Sequence, residues 1–488
     1  MKTNTLDFDA QALREKILDL AMRGKLVPQD PNDEPASVLL EKIKAEKEQL
    51  IKEKKIKKSK PLAPITDDEK PFDIPDSWEW VRLGDVINLI SGRDIPKKFH
   101  LASKSKDSVP YITGASNITE NGEIHISEWI DSPSVVVSKG TIILSVKGTI
   151  GKIAELNVEK AHIARQIMGI DNAFGLSKEY EKFFLESYIQ ELKNKAKSMI
   201  PGISRDDLLM AEFPLPPLSE QSRIAAKIAQ LFALLRKVES STQQYAKLQT
   251  LLKSKVLDLA MRGKLVEQDP HDEPASVLLK KIKAEKEQLI KEGKIKKSKP
   301  LPPITDDEKP FDIPNGWEWV RLGDIGAWAA GATPSRKHSE YYGGDIPWLK
   351  TGDLNDGIVE ETSEKITELG VKNSSVKINK PGNILIAMYG ATIGKLGIVG
   401  KKELVTNQAC CGCTPYKGIY NQYLFYYLLS SRKRLINLGS GGAQPNISKQ
   451  KIEKFAFPLP PQSEQSRVTA KIEQLLPFLG KVEFSAEQ

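Results

Sequence analysis

Residues 17–86 and 256–325 align without a gap at an offset of 239 and match at 61 of 70 positions. LDLAMRGKLV recurs at Leu18 and Leu257, DEPASVLL at Asp33 and Asp272, and PITDDEKPFDIP and WEWVRLGD recur with them. A second block, FPLPP followed by SEQSR and a helical run, begins at Phe213 and again at Phe457, at an offset of 244. Between the blocks lie two segments, 88–212 and 327–456, with little similarity to each other. A period near 240 is too long for a solenoid and marks a duplicated domain plus connector. Two near-identical surfaces imply that one kind of partner or contact is used twice. Two divergent segments imply two different ligands, or two different sequences read.

The stretch after the first variable segment has the pattern of one long helix. Ser219 is a fair N-cap, and Ile224, Ile228, Leu231, Leu235, Val238, Tyr245, Leu252, Val256 and Leu259 follow at heptad spacings, with Thr242 and Gln249 filling the seam. Gly263 is a plausible stop. A helix over 219–262 would span roughly 65 Å at ~1.5 Å per residue, which suits a spacer. Val468, Ile472, Leu475, Leu479 and Val482 match its first half, whereas Leu6, Leu13, Ile17 and Leu20 match its second. The termini are therefore expected to supply a second, broken spacer, packed antiparallel on the first and closing a ring with approximate two-fold symmetry. Pro477 and Gly480 replace Ala233 and Arg236, so this copy should kink there.

The expected domain order is an N-terminal helix completing the split spacer (1–27), a lysine-rich connector (28–77), a first variable domain (78–212), the long spacer helix (213–262), a second lysine-rich connector (263–316), a second variable domain (317–456) and a C-terminal spacer helix (457–488). Both variable segments read as mixed α/β. GTIILSV (140–146) and GNILIAMY (382–389) are strand-like runs bounded by glycine, and 177–197 and 421–438 have helical patterns. They share landmarks in the same order: VKGTIGK (146–152) mirrors MYGATIGK (388–395), Gln166 mirrors Gln408, and PGIS (201–204) mirrors PNIS (445–448). One fold carries two sets of surface residues.

Charge shows where a polyanion could be met. The net charge is +8, and residues 41–60 and 280–299 each carry nine Lys against four and three Glu. Such runs are usually solvated helix faces, and partner docking is weighed above DNA-phosphate contact for them, with Leu39, Ile43 and Leu50 as the apolar stripe. Trp78, Trp80, Trp317 and Trp319 read as core or domain-edge anchors rather than base-stacking residues. The polar start, MKTNTLDFDAQALREK, lacks a secretory signal's apolar core, so a cytoplasmic protein without a membrane partner is expected. All three cysteines (Cys410, Cys411, Cys413) fall within four residues, which excludes a disulfide framework.

Chemistry within the chain is not expected. The Pro-Pro pairs LPPL, LPPI and LPPQ lack the polar residue of an adenine methyltransferase motif. GATIGKL (390–396) is one residue short of a phosphate loop and lacks Ser/Thr after the lysine. No metal site is expected, because Cys410 and Cys413 lack identifiable further ligands.

GATPS (331–335), DIPWLKTGDL (345–354), GNILIAMYGATIGKLGI (382–398), TNQACC (406–411), QPNIS (444–448) and FPLPPQSEQSR (457–467), in this order and echoed around near-identical connectors, resemble the DNA specificity subunit of type I restriction-modification systems. The first variable segment departs from that pattern, with SGRDIPK (91–97) for the GATPS-like turn and RQIMG for NQACC. The resemblance implies two α/β target recognition domains separated by long antiparallel coiled-coil helices in a pseudo-two-fold circular arrangement. It also implies a non-catalytic subunit in which each domain reads one half of a bipartite site in double-stranded DNA. Two methyltransferase subunits carrying S-adenosylmethionine would dock on the helices, with two restriction/translocase subunits using ATP and Mg for cleavage. The alternative is a bivalent coiled-coil scaffold that binds two proteins and no DNA. Candidate DNA contacts are Arg93, Lys97, Lys147, Lys152, Arg165, Gln166 and Arg205 in the first domain. In the second they are Arg336, Lys337, Lys350, Tyr389, Lys395, Gln408, Gln444 and Asn446: Arg and Lys for phosphate or guanine, Gln and Asn for adenine.

Overall fold

The computed structural model describes residues 8–479 except 57–59, 173, 196–201 and 440–444. It divides into two compact units, Asn4–Thr242 and Gln243–Gln488, the latter counted with Met1–Thr3.

In the first unit, Asp9 caps a helix, Ala10–Met22, by accepting the Ala12 N–H. The connector helix Ala36–Lys52 buries Ala36, Leu39 and Ile43 and turns its lysines to solvent, as the 3.6-residue spacing requires. Its copy in the second unit, Ala275–Lys291, buries Ala275, Leu278 and Ile282. One lysine of each run is an internal tie instead: Lys47 Nζ donates to Gly84 O at 2.9 Å, and Lys286 Nζ to Gly323 O at 3.0 Å.

Each connector is locked to the helix that follows its variable domain. Trp78 is buried, and its Nε1–H donates to Glu220 Oε2 at 2.9 Å while Gln29 donates to Oε1 at 2.5 Å. Trp317, Glu464 and Gln268 repeat this at 2.8 and 2.5 Å. Burial raises the pKa of both carboxyls, against the pull of their Trp and Gln donors. Arg223 pairs with Asp33 at 2.6 Å in one unit, and Arg467 with Asp272 at 2.6 Å in the other. A two-stranded ribbon closes each variable domain, Glu79–Arg82 on Glu212–Leu215 and Glu318–Arg321 on Ala456–Leu459.

Two sheets build each variable domain. In the first, the order is Asn88–Ser91, Ile167–Asp171, Ile142–Ser145, Ile153–Glu155, beside a sheet ordered His100–Leu101, Trp129–Ile130, Val109–Ile112, Lys160–Ile163, Val136–Ser138. In the second, Gly326–Ala330, Cys410–Pro415, Ile384–Ala387, Leu396–Val399 reproduce the first order, with Gly357–Val359 added at the edge. Glu364–Ile366, Tyr342–Leu349, Leu404–Thr406, Ile378–Asn379 make its other sheet. The strands Ile142–Ser145 and Ile384–Ala387 are buried throughout, which explains why they read as unbroken apolar runs rather than alternating ones. The cysteines sit in strand Cys410–Pro415 as small core residues, and burial pushes the Cys411 thiol up to about 12.

The pattern over 421–438 is not one helix but two, Asn421–Ser430 and Arg432–Gly439. They break at Ser431, whose N–H closes the last turn of the first on the Tyr427 carbonyl at 2.9 Å.

A single helix runs Leu218–Met261. Its seam is not buried along its whole length. Ile224, Ile228 and Leu235 are buried, Leu231, Val256 and Leu259 half-buried, but Val238, Tyr245 and Leu252 are 43%, 61% and 50% exposed. The ends are covered because the connector and variable-domain helices reach them. Of the residues expected to form the broken copy, Ile17 and Leu20 are half-buried, Val468 and Ile472 buried and Leu475 half-buried. Arg14 pairs with Glu239 at 2.6 Å and ties the N-terminal helix to the first part of the long one. The C-terminal helix Gln462–Leu475 tightens into a 3-10 turn over Leu476–Leu479, around Pro477. Leu6, Gly480 and Val482 lie outside the described residues.

Candidate nucleic-acid interface

The candidate surface of each variable domain is a corner where three backbone segments meet. In the first domain, Gly92 N–H donates to Ile167 O (3.2 Å) and Arg93 N–H to Ile163 O (2.9 Å), which seats the loop after strand Asn88–Ser91 on the turn at 164–166. Val146 N–H donates to Gln166 O, and Val146 O accepts in turn from Ile203 N–H, both at 2.9 Å. The second domain repeats these bonds: Gly331 to Cys410 O (3.0 Å), Ala332 to Thr406 O (2.9 Å), Met388 to Ala409 O (2.7 Å) and Ile447 to Met388 O (2.8 Å). A Cβ on Gly92 would overlap the Ala164 carbonyl oxygen, and one on Gly331 the Thr406 carbonyl oxygen. Glycine is therefore what lets the two backbones touch.

These bonds correct one expected correspondence. Ile167 answers to Cys410 and Ala164 to Asn407, so the counterpart of Gln408 is Arg165, and that of Gln166 is Ala409. The shared letter Q misleads by one residue, because position in the turn is set by backbone pairing rather than by side-chain identity.

Around the first corner, Arg93, Lys97 and Lys147 are exposed. Arg165 is exposed with its Nε 2.7 Å from Asp94 Oδ2, and Gln166 lies against Gly114. Two cations are held by the protein itself: Lys152 Nζ by Ile118 O (3.1 Å) and Glu120 (2.8 Å), and Arg205 Nη1 by Leu89 O (2.8 Å) and Ser91 Oγ (3.1 Å). Behind the corner, Tyr111 and His162 pack at 5.2 Å between ring centroids. His162 Nε2 bonds Arg93 O at 2.7 Å, and burial lowers its pKa.

Around the second corner, Lys337, Lys395, Gln408 and Asn446 are exposed, and Tyr389 bridges to Asn446. Thr333 Oγ1 donates to Gln408 Oε1. Arg336 lies over the rings of Tyr342 (4.2 Å) and Trp348 (5.1 Å). Its Nη2 and the Nζ of Lys350 both reach Glu364, each at 2.8 Å, and these cations hold the carboxylate below its usual pKa. Gln444 lies outside the described residues.

The model of the type I restriction modification DNA specificity domain matches residues 75–249 and 314–477. The specificity subunit of the type I restriction enzyme EcoAI from Escherichia coli is 32% identical over 98% of this chain and 90% of its own length. The chain belongs to the type I restriction-modification specificity subunit family. The EcoEI specificity subunit, also from Escherichia coli, is 31% identical over 96% of this chain and 89% of its own. Two solved structures share the fold of this specificity subunit. One, from work on complex assembly and conformational transition of the type I R-M system, has a TM-score of 0.58 at 23% identity and covers 84% of this chain and 92% of that one. The other, the HsdS subunit from Thermoanaerobacter tengcongensis, has a TM-score of 0.52 at 22% identity, covering 84% and 93%.

Sequence reasoning missed the side chains that orient the candidates of this family member: Asp94, Thr333 and Glu364, and the rings of Tyr342 and Trp348. Only the glycine two residues before Asp94 and before Thr333 hinted at them, since it marks a backbone approach without naming what is approached. Among the described residues, no helix is long and apolar enough to cross a membrane.

Proposed function

We propose that this specificity subunit reads a bipartite site in double-stranded DNA, one half-site for each recognition domain, and is itself non-catalytic. The single observation that carries this is the pairing of one backbone framework with two different sets of exposed polar residues, each attached to a connector that matches its copy at 61 of 70 positions. Arg93, Lys97 and Lys147 in one domain and Lys337 and Lys395 in the other suit phosphate, which fixes register, while side chains at the corners suit base edges. The repeated connectors suit two copies of one adenine methyltransferase, which would carry S-adenosylmethionine and take the target adenine out of the stack. For cleavage, restriction subunits using ATP and magnesium would join. In the same reading, the terminal segments form the broken antiparallel partner of the long helix, a coiled coil with approximate two-fold, circular symmetry.

Methylome sequencing of cells that express the chain with its methyltransferase partner tests this. A two-part methylated motif with a fixed gap is expected, and exchanging residues 327–456 for those of a relative should change one half only. Absence of a two-part motif, or both halves changing together, would overturn the reading. The scaffold alternative predicts no DNA motif at all.

A further inference from the structure

The corrected correspondence brings one position of each domain into focus. Arg165 and Gln408 occupy the same place in the turn, and the residue facing each comes from the same place in the opposing loop, two residues after Gly92 and two after Gly331. In the first domain that residue is Asp94, which accepts the Arg165 N–H at 3.1 Å and lies 2.7 Å from its Nε. In the second it is Thr333, which donates to Gln408 Oε1. The two domains therefore keep a buttressed pair at one site while changing its chemistry from Asp–Arg to Thr–Gln.

Stability does not account for this. The Arg165 and Asp94 side chains are 69% and 47% exposed, and exposed ion pairs of this kind contribute little to folding. What the buttress does is orient. With the Asp94 carboxylate ion-paired against Nε, the Nη1 and Nη2 atoms of this exposed Arg165 make no hydrogen bond among the described residues, which leaves a planar edge of two parallel donors for a ligand. That edge matches the O6 and N7 acceptors of guanine. Gln408 gives one lone pair of Oε1 to Thr333 and keeps the other, together with its Nε2 donors, for the acceptor-plus-donor pattern that adenine presents at N6 and N7. Exposed Lys147 and the Tyr389–Asn446 bridge lie beside the respective pairs through the Val146–Gln166 and Met388–Ala409 hydrogen bonds.

We propose that Arg165, positioned by Asp94, reads a guanine in one half-site, and that Gln408, positioned by Thr333, reads an adenine in the other. This rests on the DNA-reading function proposed above and assigns its base-discriminating position.

The test uses the complex of the full chain with its methyltransferase partner and compares its preferred motif with that of the double variant Asp94→Thr, Arg165→Gln. One guanine of one half-site should become adenine while the other half stays as it was. Should that variant prove inactive, binding of Arg165→Ala, Asp94→Ala and Asp94→Asn complexes to duplexes substituted singly at every half-site position decides the matter. Arg165→Ala should lose on the order of ten- to a hundredfold discrimination at one guanine. Asp94→Ala should relax the same position with thermal stability unchanged, and Asp94→Asn should restore part of it. An unchanged motif, or a weakening uniform across all sequences as a phosphate contact would give, overturns the assignment. A wild-type complex without a two-part motif would instead sink the function on which the assignment rests.

Discussion

In the repeated connectors, Trp78 and Trp317 donate to Glu220 and Glu464 at 2.9 and 2.8 Å, and Arg223 and Arg467 pair with Asp33 and Asp272 at 2.6 Å each. At the corners of the recognition domains, the bonds that recur are backbone bonds, such as Gly92 to Ile167 O and Gly331 to Cys410 O, while the side chains above them differ. The contrast teaches where each region keeps its information. A side-chain network such as Trp–Glu–Gln needs those atoms and leaves a buried group unpaired when one is lost. A backbone network is indifferent to side chains, so an exposed position can change without disturbing the fold that presents it.

If the connectors are equivalent, cutting the same contact in each should cost the same. Trp78→Ala and Trp317→Ala should each destabilise their unit by about 3–5 kcal/mol, as measured by denaturant unfolding of the full chain. Unequal losses would break the equivalence.

The recognition domains should part company in their response to pH. Tyr180 and Tyr423 both donate to a proline carbonyl, Pro214 O and Pro458 O, so Glu181 and Leu424 stand at corresponding buried places. Burial, reinforced by Asp171, pushes the Glu181 carboxyl up to about 8. Between about pH 4.5 and 8 the unfolded chain has lost this proton and the folded one has kept it. Its contribution is therefore complete below the unfolded pKa and is lost as pH rises towards 8, at a limit of ~1.4 kcal/mol per pH unit. Glu181→Leu should flatten that slope and stabilise the first unit at pH 8 by roughly 2–3 kcal/mol. A pH titration of unfolding midpoints checks both, and an unchanged slope would remove Glu181 from the account.

Even within the repeats there is a testable asymmetry. Arg82 divides its guanidinium between Glu69 (2.7 Å) and Glu212 (2.6 Å), whereas Arg321 places Nη1 and Nη2 on Glu308 at 2.6 and 2.8 Å, because Ala456 faces it in the ribbon. Glu308→Ala should cost about 2 kcal/mol, discounted for the partial exposure of the carboxylate, and Glu69→Ala visibly less. Thermal unfolding of the two variants side by side would show it, and equal losses would deny Glu212 its role.

The smallest expected effect is at Lys54, which holds a left-handed φ of 58° where the copy has Gly293 at 70°. Lys54→Gly should stabilise by about 1 kcal/mol and Gly293→Lys should destabilise by a similar amount, again read from unfolding midpoints.

The duplication, the buried strands at Ile142–Ser145 and Ile384–Ala387, and the family were legible in the residues, since identity at a fixed offset and unbroken apolar runs need no coordinates to be seen. The candidate contacts were legible only as types. That Lys152 and Arg205 are held by carbonyl oxygens and that Glu364 gathers Arg336 and Lys350 depend on residues brought together from distant parts of the chain.

By itself, then, the sequence determined a repeated connector, two variable α/β segments and membership of the specificity family, because these follow from patterns local in the chain or repeated along it. Tertiary structure decided that Arg165, not Gln166, stands where Gln408 does, and that Asp94 and Thr333 stand behind them. The physical reason is that the register between loops is set by hydrogen bonds between backbones far apart in sequence, which no alignment of letters records.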